Sequence, residues 1–585
     1  MHQLKFIVIS LVLVPAVHLV YASYNGEKKQ DNTYENLTEQ GSYDFIVVGS
    51  GPGGGTVATR LALRGFKVLL IEAGKDYDTR NTSIPGLWPN SVNDDEMRWD
   101  MKAYLFNNSA QQSTEQILYP RASLLGGCSM HNVMIALSAH PLDWDKMAKL
   151  LDDESWNFKN MQKYRHIVEN CEYCSKKNKT KFRGWLNISV PQIPIKKDVK
   201  LISLFDTITE QLVYNPDVNH NNTYESWFLG ADLITKETAT RSSIYQRIKE
   251  VQKLRPKNLH VWTNTFVMKI IIENKQARGV NYVKGSDLYS ASPKSTIDQR
   301  NRSSQRQYSI YAKYDVIISG GAFNTPQILQ LSGIGNKKLL KKYNIKVKEN
   351  LAGVGRNMQD HHEVTYILKM KQNWTLLKGC IFGANNSDPC LAEYYKTRKN
   401  VYANNGNLLL ASRSPSMNLT SATPNYLTVN SAETHSKNNM GTVEIKSKDP
   451  FQTPLIQFQL FNEQDDDLSR IVQNLRYIRK LLNRKPLSNY IEEEVLPGSN
   501  VTSTADLEEH IRKNVYGHHA CCSSKMGLSS DKMAVVDSKG RVRNIKNLRI
   551  VDNSIFPIAL GWFPMLPIYM ASEKLADDIA THYGK

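Results

Sequence analysis

The chain has 585 residues, more than one hydrophobic core ordinarily holds, so two structural regions are expected. With 41% hydrophobic and 22% charged residues it is composed like an ordinary globular protein, which excludes wholesale disorder. The formal charge of +18 is spread along the chain without a dense basic block beside stacking aromatics, so a basic packed enzyme is expected and nucleic acid is not an expected partner.

Residues 1–22 carry a weakly basic head at His2 and Lys5, an apolar run over 6–17 and a small-residue exit at Ala22, the pattern of a secretory signal peptide. The run is short for a bilayer, and no later stretch approaches about 18 uninterrupted apolar residues. A secreted chain with no membrane partner is therefore expected. Asn-x-Ser/Thr sequons at Asn36, Asn81, Asn187, Asn221, Asn301, Asn373, Asn418 and Asn500 fit export and glycosylation, although an Asn-rich chain yields some by chance. Seven cysteines leave at least one unpaired. Cys380 with Cys390 and Cys171 with Cys174 are candidate pairs.

After a polar leader, "YDFIVVGSGPGGGTVATRLALRGFKVLLIEAG" reads as a buried strand over 44–48, a glycine turn, a helix to about residue 64 and a second strand over 67–71. Gly49, Gly51 and Gly54 form G-x-G-x-x-G, around Ser50. The glycines allow a tight turn, close approach of backbone to a pyrophosphate and close helix–strand packing, and the helix N-terminus favours the negative charge. Glu72 ends the second strand, where a carboxylate accepts bonds from ribose hydroxyls. Strand, turn, helix, strand and terminal acid together predict a site for an ADP-containing dinucleotide.

Residues 258–283 and 313–335 read as further strands ending at glycines, so the nucleotide domain is assembled from separated pieces over 42–355. From 356 to 505, segments such as "GTVEIKSKD" and "PLIQFQLF" resemble an antiparallel sheet, with a helix near 468–482, and predict a substrate domain. The segment 506–585 contains "NLRIVDNSIFPI" and a terminal helix, which would return the chain to the first domain. The expected fold class is α/β, a Rossmann-like dinucleotide domain with an antiparallel-sheet substrate domain.

"YPRASLLGGCSMHN" (119–132) resembles the first signature of the glucose-methanol-choline (GMC) oxidoreductases, and "GAFNTPQILQLSGIG" (321–335) resembles the second. "LAGVGRNMQDH", "RSS" at 241–243 and "NLRIVDNSIFP" resemble further family blocks in the usual order. The resemblance runs from about residue 43 to the C-terminus. It implies FAD, with Gly126, Gly127 and Ser129 beside the cofactor, Val267 at the adenine and Asp552 near the flavin end. "GGCSMHN" is similar to the "GGCS-x-HN" of choline-oxidase-like members, in which the histidine carries the flavin covalently. His131, followed by Asn132, is thus either a covalent attachment point or a histidine that only hydrogen-bonds within the packing.

The stretch "GHHACC" (517–522) admits three readings: a metal site, a cysteine nucleophile with its base, or a family histidine. No second His/Cys cluster has zinc-like spacing, and neighbours in an extended segment point to opposite sides, so His518 and His519 are not expected to grip one ion. The resemblance places His519 on the family's base histidine and His518 in place of a tyrosine. An imidazole suits removal of a hydroxyl proton near neutral pH as hydride leaves carbon for flavin N5.

One position departs from the family pattern. Where members carry a second His or Asn, this chain has Phe563, and a phenyl ring cannot accept a proton. An easily oxidised substrate, another polar group or lyase chemistry, or a weakened paralogue would each account for it. Trp562 and Phe563 beside a flavin suit an aromatic substrate. The expectation is a secreted FAD-dependent alcohol oxidase passing electrons to O2 and releasing H2O2, similar to the arthropod defensive oxidases of this family that act on mandelonitrile or benzylic alcohols. A quinone-linked dehydrogenase, a flavin-containing hydroxynitrile lyase and a binding glycoprotein without chemistry are the alternatives.

Overall fold

The computed structural model describes residues 43–106, 116–174, 182–190, 198–215, 219, 226–229, 231–295, 305–381, 387–406, 410–412, 416–420, 425–462, 465–561 and 563–585. The signal segment 1–22, the sequons at Asn36, Asn221 and Asn301, and Trp562 lie outside the described residues.

The four residues of β1 (Phe45–Val48) are all buried, as are those of β2 (Val68–Ile71), because helices and loops cover both faces of the sheet they share. Helix α1 (Pro52–Leu63) joins them, with Pro52 preset for its first turn. It can lie so close because Gly54 faces β1: a Cβ there would stand 1.9 Å from the Gly49 carbonyl oxygen. With β3 (Leu259–Trp262), β4 (Val316–Ile318) and β5 (Leu548–Ile550) these strands form one five-stranded sheet in the order β3-β2-β1-β4-β5, parallel throughout. Helix α2 (Gly321–Leu331) follows β4.

The C-terminal segment closes this domain. β5 forms the sheet edge, and α3 (Met565–His582) packs along α1. Asp315 ties the ends, accepting a bond from Arg549 Nε at 2.6 Å and from the Tyr583 hydroxyl at 2.8 Å. A three-stranded antiparallel sheet (Thr265–Glu273, Gln276–Lys284, Gln307–Tyr311) stands beside it.

The second region is a seven-stranded sheet whose inner strand, His362–Met370, lies between Ile491–Leu496 and Tyr426–Glu433. Helix Asp467–Leu482 lies against Tyr426–Glu433. Two features depart from the sequence reading. The sheet takes its far strands, Ser226–Phe228 and Val213–Tyr214, from before residue 356. The antiparallel pair Thr442–Glu444 and Leu455–Gln457 joins Arg98–Tyr104 and Gln116–Ala122 in a separate four-stranded sheet. Strands of two or three residues carry no readable alternation, so their partners are set by tertiary packing.

Cys171–Cys174 and Cys380–Cys390 are disulfides, as are the adjacent Cys521 and Cys522, and Cys128 is a free thiol. Cys521 and Cys522 are thus not available as nucleophiles. Among the described residues, no helix is long and apolar enough to cross a membrane.

Candidate active site

A cavity of about 520 Å³ opens at the C-terminal ends of the parallel strands, where α/β sheets bind ligands. At one end it is lined by Val48, Gly49, Ser50, Gly51, Glu72 and Val267. Gly49 has φ +96°, and a Cβ there would stand 2.3 Å from the Ser319 carbonyl oxygen, so the turn out of β1 needs glycine. Gly51 caps α1 without a side chain, and the space where its Cβ would point holds no atom of the described residues within 4 Å. The start of α1 therefore faces the cavity with room for a phosphate. Glu72 is buried behind the turn: its carboxylate accepts from Ser50 N at 2.9 Å, Ser50 Oγ at 2.6 Å and Gly74 N at 2.8 Å.

At the other end the cavity is lined by Arg121, Cys128, His131, Asn132, Glu363, His518, His519, Asp552 and Phe563. Asp552 accepts from Gly321 N at 2.9 Å and from Thr325 Oγ1 at 2.5 Å, bridging β5 to the start of α2. His131 Nδ1 is a buried polar atom with no hydrogen-bond partner among the described residues. Burial opposes ionisation of the Cys128 thiol, but the Arg121 guanidinium and the His131 imidazole outweigh it and draw the pKa down to about 6.

The segment that carries His518 and His519 is held by Asp360. Its carboxylate accepts from His519 N at 2.8 Å and from the Tyr119 hydroxyl at 2.8 Å, and Ala520 N donates to that hydroxyl at 2.9 Å. These bonds shape the backbone, which is not a regular strand, and the two imidazoles do not diverge as expected of an extended segment. Their centroids lie 4.1 Å apart, and with Glu363 their facing nitrogen and oxygen atoms all fall within 4.8 Å.

Hydrogen bonding fixes the tautomer of His519. His361 Nε2 lies 2.8 Å from the Leu560 carbonyl oxygen, which can only accept, so His361 carries its proton on Nε2. Burial pushes the pKa of His361 down to about 3, so the ring is neutral and its Nδ1 is an acceptor. His519 Nδ1, 2.9 Å away, must then donate to it. His519 is itself held neutral, since burial, His518, His361 and Arg121 all disfavour its charge. Its Nε2 is left with an unshared pair.

Comparison with known proteins places this arrangement. Residues 43–363 and 437–572 match the two parts of the model for GMC oxidoreductases, together more than half of the chain. The chain belongs to the GMC oxidoreductase family. It is an FAD-dependent oxidoreductase of the class acting on CH–OH donors. It is 29% identical over 566 residues to oxygen-dependent choline dehydrogenase of Staphylococcus aureus (strain MSSA476), covering 92% of this chain and 93% of that one. The oxygen-dependent choline dehydrogenase of Photobacterium profundum is 26% identical over 565 residues, with 92% and 93% covered. In fold it is similar to formate oxidase (TM-score 0.80, 21% identity, 93% and 98% covered) and to pyridoxine 4-oxidase from Mesorbium loti (TM-score 0.73, 20% identity, 93% and 100% covered).

The residues fit the GMC cofactor: an open glycine turn at a helix start and an unpartnered buried imidazole nitrogen share one cavity. Of the residues singled out in the sequence, Gly49, Ser50, Gly51, Glu72, Gly127, His131, Asn132, Val267, His518, His519, Asp552 and Phe563 line it. Gly54, Gly126 and Ser129 do not. Gly54 is taken up by packing on Gly49, and Ser129 turns away, its hydroxyl donating to Gly126 O at 2.7 Å and its carbonyl accepting from Arg241. The carboxylate of Glu72 is occupied by Ser50 and Gly74, so it shapes the turn as well as bordering the cavity. Sequence reasoning missed Arg121, Tyr119, Asp360, His361 and Glu363. The "LAGVGRNMQDH" block contained Asp360 and His361 without their roles, because their partners stand more than 150 residues away, and Glu363 lies beyond its end.

Proposed function

We propose that the protein is a secreted, FAD-dependent oxidase of aromatic alcohols, benzylic alcohols or aromatic cyanohydrins, with O2 as acceptor and H2O2 as product. The observation that supports it best is the unshared pair on His519 Nε2, held at a cavity wall that Phe563 makes apolar. FAD in this cavity supplies a two-electron acceptor for the hydride that leaves the substrate carbon. The turn at Gly49, Gly51 and Glu72 would hold the pyrophosphate and ribose, Val267 the adenine, and the 127–132 turn with Asp552 the flavin end. His131 is proposed as the covalent attachment point, in keeping with its unpartnered Nδ1.

The substrate hydroxyl proton goes to His519 Nε2. His361 and the Leu560 carbonyl hold that ring so that this nitrogen, and not Nδ1, faces the proton. The Phe563 ring stands edge-on to His519, with centroids 5.2 Å apart at 86°, so it excludes water from that side and offers a flat face to an aromatic ring. The exposed sequons Asn373 and Asn500 are the proposed glycan sites.

Purified protein mixed in air with benzyl alcohol, mandelonitrile, choline and an aliphatic alcohol tests the substrate class. The expected result is H2O2 formation and O2 uptake with the aromatic pair, with kcat/KM at least about tenfold above the others. Benzaldehyde and cyanide from mandelonitrile without O2 uptake would make the protein a lyase, and turnover with choline alone would overturn the aromatic assignment.

A further inference from the structure

Phe563 can accept no proton, and the cavity wall holds a carboxylate, Glu363, that the proposed reaction so far does not use. Glu363 Oε1 lies 3.8 Å from His519 Nδ1 and 3.5 Å from His518 Nε2. Its main chain is bound to Tyr516 in both directions, Glu363 N to Tyr516 O at 2.9 Å and Tyr516 N to Glu363 O at 3.0 Å. The strand carrying the acid is thereby locked to the segment carrying the histidines. The Glu363 side chain is nearly fully buried.

We propose that Glu363 is a positioning residue for the base: a carboxylate held behind His519 that strengthens the imidazole as the hydroxyl proton arrives. This rests on the reading of His519 as the base. The balance is simple. The substrate O–H bond breaks and an N–H bond forms at Nε2, while the Nδ1 proton stays on its bond to His361. The hydride leaves carbon with its electron pair for the flavin, and the imidazolium formed faces the Glu363 carboxylate. Glu363 itself gains and loses no proton in the step. A unit negative charge about 4 Å from a positive one matters in a site screened from water, where the same pair at a surface would not.

The groups that face Glu363 are few. From the 516–519 segment come the Tyr516 hydroxyl, His518 and His519; behind the imidazoles stand Arg121, His131 and Asp360, and His361 and His362 precede it in the chain. Burial pushes the Glu363 pKa up to about 8, with the Tyr516 hydrogen bond opposing. The acid is therefore neutral below that pH and charged above it. Only the charged form can stabilise the imidazolium.

Anaerobic stopped-flow reduction of the holoenzyme, followed across pH, tests this. In the wild type the limiting rate of flavin bleaching should rise through a group titrating near pH 8. Glu363→Gln should lose that limb and reduce the upper plateau about 10- to 100-fold with little change in KM, and Glu363→Asp should restore part of it. Infrared spectroscopy supplies a readout without turnover: a protonated-carboxyl band that fades as pH passes about 8 and is absent from Glu363→Gln. A Glu363→Gln enzyme that keeps the pH limb, or changes in KM alone, would overturn the proposal, as would a carboxyl already ionised at about pH 6. Failure of every alcohol to bleach the wild-type flavin would defeat the base assignment instead, and the infrared titration would still show whether the charge is there.

Discussion

The proton-acceptor role proposed for His519 depends on its neighbour His361, since the Leu560 carbonyl holds His361 in one tautomer and His361 holds His519 in the other. Replacing His361 with leucine removes the acceptor for His519 Nδ1, so the neutral ring is free to carry its proton on Nε2, where it blocks the base. The account expects His361→Leu to slow anaerobic flavin reduction about 10- to 1000-fold at unchanged flavin content. The orphaned Leu560 carbonyl and the changed packing should cost about 1–3 kcal/mol of stability, read as a lower thermal midpoint. Equal rates for variant and wild type would show that the tautomer is not fixed in this way. That His519 lines the cavity was legible in the sequence, because it stands in a recognisable block. Its partners were not, because a tautomer is set by contacts 158 and 199 residues away.

Among the elements, the β1–α1 turn separates glycines needed for folding from a glycine whose open side faces the proposed cofactor site. Gly49 and Gly54 are hemmed in by backbone, so any side chain there distorts β1 against α1. Gly51 has φ −61°, and a Cβ added there meets no atom of the described residues within 4 Å. Gly51→Val is therefore expected to leave the thermal midpoint of the apoprotein nearly unchanged while weakening FAD binding at least about tenfold, measured by flavin fluorescence titration. Unchanged FAD affinity would remove the turn from the cofactor site. This βαβ unit is legible in the sequence, because continuous apolar runs, glycine spacing and a terminal acid each leave a local signature. The seven-stranded sheet is only partly so: His362–Met370 is a nine-residue strand, but Val213–Tyr214 and Ser226–Phe228 give no period to read.

At the scale of the molecule, the cavity exists only when distant parts of the chain meet. The glycine turn at 49–54 brings the proposed dinucleotide end, the 119–132 signature the proposed flavin side, the start of His362–Met370 a carboxylate, and the last 70 or so residues both the proposed base and its phenyl neighbour. Tyr119, Asp360 and Ala520 join three of these segments through bonds that span 241 and 401 residues. The two ends of the cavity were both recognisable in the sequence; that they form one continuous space, with a buried acid behind His519, was not. Local pattern fixes neither distances nor burial. The measurement that tests the account most directly is anaerobic titration of the purified holoenzyme with an aromatic alcohol, following flavin absorbance in the wild type and in His519→Ala. Bleaching in the wild type and a rate at least about 100-fold lower in His519→Ala, at equal FAD content, is the predicted result. Bleaching at the same rate in both would contradict it.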